Sequence, residues 1–164
     1  MEFIIAIVVV GGIVLSSMVK ILNDWERGVV LRLGKAIGVR GPGLILLIPF
    51  VERMIKLDTR TITMDVQPQD VITKDNVGTE INALLYFQVM DPIKAMYEIE
   101  NLPLAIEKLT QTTLRNVIGE LDLDECLTSR DTINAKLRNI LDDASNKWGV
   151  KVNRVELQDI NPPR

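Results

Sequence analysis

The chain has 164 residues, a formal net charge of -3 and a pI near 5.1, with one cysteine and no histidine. The missing histidine excludes Ser-His-Asp and Cys-His nucleophile systems and any histidine-ligated metal site within these residues, while the acidic balance speaks against a nucleic-acid binder, which carries a concentrated basic face. Cys126 alone makes neither an internal disulfide nor a multi-thiolate zinc site, and its ordinary reading is a small apolar side chain in a helix-turn region.

The first element is an uncharged run from Phe3 to Val19, FIIAIVVVGGIVLSSMV, extending to Leu22 if Lys20 snorkels. Phe3, Ile4, Ile5, Ile7, Val8, Val9, Val10, Ile13, Val14, Leu15 and Val19 supply its apolar surface, and their summed insertion free energy is about -3 to -7 kcal/mol. A transmembrane anchor over residues 1–24 is expected. A cleaved signal peptide fits less well, because Met1-Glu2 gives no basic flank and no A-x-A-like site follows. Lys20, Arg27, Arg32, Lys35 and Arg40 all lie C-terminal to the run, which predicts a single pass in the cell membrane with the globular part in the cytoplasm.

Short strands follow. Gly28 to Gly34 reads as a strand and Gly38 to Gly43 as a tight turn. Leu44 to Phe50, LILLIPF, is open to two readings, a buried strand or a loop dipping into the membrane interface. Ile62, Met64 and Val66 share one face of RTITMDVQP, and Val77 to Val89 is the clearest strand, with Val77, Thr79, Ile81, Ala83, Leu85, Phe87 and Val89 on one side. VITKDNV, Val71 to Val77, lies between these runs, and Lys74-Asp75-Asn76 predicts a polar hairpin tip.

The second half is helical. Asp91 and Pro92 mark an N-cap and first turn, and Pro103 suits the first position of a helix to about Glu120 with Ala105, Ile106, Leu109, Thr113 and Val117 inward. The acidic residues Asp122, Asp124 and Glu125 read as a solvated connection, lacking the fixed spacing of a metal loop. Thr128 or Ser129 caps the next helix, Ile133, Leu137, Ile140, Leu141, Ala144 and Trp148 form its stripe, and Gly149 ends it. The closing strand slips in alternation near Asn153, predicting a bulge, and Pro162-Pro163 stops it. Strands first and helices afterwards indicate an α+β fold. Gly28 to Ala36 comes closest to a phosphate loop, but its glycines are five residues apart and Ala36 stands where a metal-binding hydroxyl belongs. No catalytic, cofactor-binding or metal-binding residue is identified.

The ordered set ERGVV (Glu26 to Val30), PGL (Pro42 to Leu44), IPF (Ile48 to Phe50), VITKDNV, Asp91-Pro92, RNVIGELDLDE (Arg115 to Glu125), WGVKV (Trp148 to Val152) and DINPP (Asp159 to Pro163) resembles the stomatin/prohibitin/flotillin superfamily, also called the SPFH or band 7 domain. The details are most similar to its bacterial stomatin-like or paraslipin branch. The resemblance implies a membrane-proximal subdomain over residues 25–66 and a second subdomain over 67–164. It also implies a non-enzymatic, cofactor-free scaffold that forms homo-oligomeric rings or cages on the bilayer and regulates partners such as a membrane-bound protease of NfeD or AAA type. Pro42, Gly43, Leu44, Leu46, Ile48, Pro49 and Phe50 would then touch the membrane. Relatives continue beyond the double proline into a charged, Ala-rich coiled-coil helix, whereas this sequence ends at Arg164. Two further readings stand beside the scaffold: a monomeric lipid-surface binding module and a hydrolase without a familiar motif.

Overall fold

The computed structural model describes residues 1–161, so the expected stop at Pro162-Pro163 lies outside the described residues. The chain divides into two compact units, Met1–Thr59 and Arg60–Arg164. The boundary expected at residue 66 instead falls within a strand, β6 (Ile62–Ile72), which hydrogen-bonds to β7 (Gly78–Val89) along its length.

The first unit opens with α1 (Glu2–Met18), a 17-residue helix with no buried residue. It is shorter than expected. At Val19 the backbone turns extended, φ -89° and ψ 123°, and Val19–Leu22 forms β1, paired antiparallel with β4 (Gly43–Leu46). Cross-strand hydrogen bonding and the burial of Leu22 outweigh helix continuation there. Seventeen residues give roughly 25 Å of helix, less than the roughly 30 Å of a bilayer's hydrocarbon core. No helix among the described residues is long and apolar enough to cross a membrane. The transmembrane anchor expected over residues 1–24 is corrected accordingly.

The rest of this unit is a three-stranded antiparallel sheet ordered β3-β2-β5, comprising β2 (Glu26–Arg32), β3 (Lys35–Arg40) and β5 (Glu52–Asp58). Residues 38–40, expected in a turn, belong to β3, and β5 had no clear signal because its apolar residues do not alternate cleanly. Leu22, Val30, Ile45 and Leu47 form the small core, with Met54 packed against it.

The second unit is built on an antiparallel sheet ordered β6-β7-β8, with β8 spanning Val150–Asn161. The predicted face of β7 is buried from Thr79 to Val89, while Val77, expected to begin it, lies before the strand and is half-buried. Pro68 sits at a register shift in β6 between Val66 and Gln69, where its missing N–H interrupts no ladder. A second shift pairs Tyr86 with Arg154 and Phe87 with Val152, leaving Asn153 as the expected bulge. Helices α2 (Pro92–Tyr97), α3 (Leu102–Gly119), α4 (Leu123–Thr128) and α5 (Arg130–Ser145) complete the unit. The core joins the buried β7 face to Ile106, Leu114 and Ile118 of α3 and Ile133, Leu137 and Leu141 of α5.

Asp91 caps α2 through Ile93 and Lys94, with Pro92 in its first turn. In α3 the cap is Asn101, so Pro103 occupies the second position rather than the first. The acidic connection contains a helix, α4, because Asp122 and Glu125 form a reciprocal capping box. Ile140, placed inward by period, is 40% exposed, since the narrower stripe of Ile133, Leu137 and Leu141 already fills the contact.

Candidate functional site

The polar candidates are occupied in holding the fold. In the β6–β7 turn, Asn76 adopts a left-handed φ of 62°, and its N–H donates to the Thr73 carbonyl at 2.9 Å. The Thr73 hydroxyl donates to Asp75 Oδ1, Lys74 N–H donates to Leu121 O at 2.9 Å, and Leu123 N–H donates to Asp75 Oδ2 at 3.4 Å. VITKDNV is thus a hairpin tip that fastens the α3–α4 junction. The Thr73 hydroxyl, then the Leu123 amide, hold the Asp75 carboxyl below the usual range despite opposing desolvation. A lowered native pKa means the stabilisation is present above the unfolded value near 3.8 and is lost as pH falls through the native value. Asp75→Ala is expected to lower Tm by several degrees at pH 7, with the gap to wild type narrowing at pH 3. A gap that does not change with pH contradicts this assignment.

Cys126 is completely buried in the second unit's core, and desolvation, then Glu125, pushes its thiol pKa up. Its reaction with a thiol-specific reagent should be at least tenfold slower in the folded protein than in denaturant, measured by absorbance. Among the described residues no group of three or more Cys, Asp or Glu side chains is arranged to hold a metal ion.

The unspent chemistry is apolar and lies in the first unit. Every side of α1 is unburied, and the hydroxyls of Ser16 and Ser17 donate back to Ile13 O and Val14 O, both at 2.8 Å. Those bonds suit a helix in a medium that offers no water. The next element continues the same surface. In the β1–β4 ribbon, Val19 faces Leu46 and Ile21 faces Leu44. Directly opposed residues lie on one side of an antiparallel pair, and all four are exposed, Ile21, Leu44 and Leu46 by about two thirds. The opposite side buries Leu22 and Ile45. The two readings of Leu44 to Phe50 are therefore combined: alternate residues are buried, as Ile45 and Leu47 are, while Leu44, Leu46 and Ile48 face outward.

Beyond the ribbon, residues 47–51 form a tight loop with Phe50 at its tip, 98% exposed and at φ 68°. Leu33, in the β2–β3 turn, is 82% exposed at φ 50°, and its N–H donates to Val51 O at 3.0 Å. Left-handed backbone costs a bulky residue about 1–2 kcal/mol, so two neighbouring loops hold large apolar side chains outward against both strain and water. Glu52 is their clamp. Its Oε2 accepts from Ile48 N–H at 3.0 Å, and its Oε1 accepts from Arg32 Nη2 at 2.6 Å and Nε at 3.1 Å. The Ile48 amide first, then Arg32, lower the Glu52 pKa.

Of the residues expected at a membrane, Phe3 to Leu15 lie on α1, Val19, Leu44 and Leu46 on the ribbon, and Ile48, Pro49 and Phe50 in the loop. Pro42 and Gly43 stand apart from that loop, at the far end of β4. Ile21 and Leu33 are exposed apolar residues too, Ile21 within the run expected to extend to Leu22 and Leu33 outside every expected segment. Leu33 had a readable signal, because it precedes Gly34 where a two-residue hairpin ordinarily carries Asn or Gly.

Sequence comparison matches residues 20–164 to the SPFH domain / Band 7 family. A stomatin homolog of Pyrococcus horikoshii is 46% identical over 151 residues, covering 92% of this chain and 57% of the relative. An uncharacterized protein of Archaeoglobus fulgidus is 46% identical over 159 residues, covering 97% and 64%. One from Mycobacterium tuberculosis is 43% identical over 162 residues, covering 98% and 42%. The chain thus spans about half the length of these relatives. The matches are to the superfamily and do not single out its bacterial paraslipin branch.

Proposed function

The chain belongs to the SPFH domain / Band 7 family, and on that premise we propose that it is a membrane-held, non-enzymatic scaffold. In this reading it self-associates into a ring or cage, organises a membrane microdomain and regulates membrane proteins such as proteases. The observation that carries it is α1, apolar from Phe3 onward and buried nowhere, followed without interruption by the apolar face of the β1–β4 ribbon. In water that surface would be an aggregation hazard; against acyl chains it stabilises attachment. The helix is embedded in the bilayer, and Val19, Ile21, Leu44, Leu46, Leu33 and Phe50 lie at its interface. The basic residues after α1, Lys20, Arg27, Arg32, Lys35 and Arg40, favour the anionic cytoplasmic leaflet.

Affinity isolation from membranes in mild detergent, followed by native mass measurement and identification of co-purifying chains, tests the scaffold. A large particle with a membrane protease supports the regulator, and a large particle of this chain alone supports an autonomous lipid organiser. A small monodisperse species replaces the scaffold with a monomeric lipid-surface module. The side of the membrane has its own test. Cys126 is buried, so Lys74→Cys supplies a single exposed thiol, expected to resist an impermeant reagent in intact cells and to label after lysis. Ready labelling in intact cells places the units outside.

A further inference from the structure

At the foot of α1 lies a cavity of about 420 Å³ lined by Ser17 from the helix, Lys20 from β1, and Arg53 and Lys56 from β5, with Leu47 and Met54 among its apolar walls. We propose that this cavity binds the phosphate of an anionic phospholipid headgroup. The inference rests on the membrane reading of α1, which sets the cavity at headgroup depth.

Charge and shape together point to this ligand. Three cationic residues line one concavity, and neither the Lys20 nor the Arg53 side chain has a hydrogen bond or ion pair among the described residues. Lys56 is held in place by its bond to Ile21 O at 2.9 Å, with Glu26 at 3.8 Å. Glu52, the acidic member of the lining, is occupied by Arg32 and the Ile48 amide, so it neutralises neither Lys20 nor Arg53. Arginine and lysine ends together suit a phosphate's several oxygens, and Leu47 and Met54 offer the adjoining glycerol and upper acyl segments an apolar wall. Alone, the lysine and arginine ends could take free phosphate equally well. The position beside an embedded helix makes a lipid the source.

The test is native mass spectrometry of the full chain in detergent with equal amounts of phosphatidylglycerol and phosphatidylcholine. Wild type should retain phosphatidylglycerol with roughly tenfold preference. Lys20→Gln with Arg53→Gln should reduce the preference to near parity, whereas Arg53→Lys, and Arg40→Gln outside the cavity, should keep most of it. No preference in wild type, or full preference in the double variant, overturns the proposal. Excess inorganic phosphate separates the sources. A lipid site keeps its phosphatidylglycerol because the acyl chains add to the headgroup contact. Displacement of the lipid, with phosphate binding to wild type but not to the double variant, assigns the cavity to soluble phosphate and overturns the lipid source. Flotation with purely neutral vesicles tells this failure from that of the membrane reading: wild type that floats leaves α1's role intact whatever the headgroup result.

Discussion

Replacing Gly149 by alanine is expected to destabilise the second unit by about 3 kcal/mol, as the sum of backbone strain and a collision. Gly149 follows the short 3₁₀ turn Asn146–Trp148 and adopts φ 68°, a region an alanine occupies at a cost of about 1 kcal/mol or more. A Cβ there would stand 2.5 Å from Asp91 O and 2.8 Å from Asp91 Cβ. Those atoms have little freedom to retreat. The amides of Met90 and Asp91 both donate to Gly149 O, at 2.8 and 3.0 Å, and the Asp91 side chain caps α2. One glycine therefore sets the junction of β7, α2 and β8. Urea unfolding measures the loss, with Gly78→Ala as control: no atom stands within 4 Å of a Cβ there, so the change should stay within about 0.5 kcal/mol. A loss below 1 kcal/mol at Gly149 would show that the junction yields.

The second large effect concerns the membrane. Val9→Asp with Ile13→Asp is expected to release the protein from neutral vesicles. The two positions lie four residues apart within α1, on one side of the helix. Each carboxylate at membrane depth costs about 2.5–3.5 kcal/mol. Two such charges cancel the roughly -3 to -7 kcal/mol supplied by the apolar run. Flotation on a density gradient reads the outcome. The Val9→Leu with Ile13→Leu protein should float as wild type does, and a double aspartate variant that floats fully would transfer the anchoring role from α1 to the β1–β4 ribbon and its neighbouring loops.

How much of this was legible depended on the distance over which each signal acts. Local signals were read correctly: the alternation of β7, the Asp91-Pro92 cap, the left-handed Gly149 and the Asn153 bulge all depend on residues within a few positions. The Val19–Leu22 strand was hidden because its apolar residues also continue a helix, and only pairing with Gly43–Leu46, more than 20 positions away, decides against that. Glycines at 38, 41 and 43 suggested a turn, yet the first lies in β3 and the last opens β4. The apolar surface was visible in part. Phe50 stood out beside Pro49, but Leu33 becomes its neighbour only through the Leu33–Val51 hydrogen bond, and the Arg32–Glu52 clamp joins residues 20 positions apart. The cationic cavity likewise required the fold, since Lys20 and Arg53 come from different strands.

The most direct measurement is alkaline carbonate extraction of membranes from cells making the natural-length protein, followed by flotation of the pellet. A protein embedded through α1 stays with the lipid and floats with it. Release into the carbonate supernatant would mean that the helix and the ribbon are not in the bilayer, contradicting the membrane-held scaffold at its foundation.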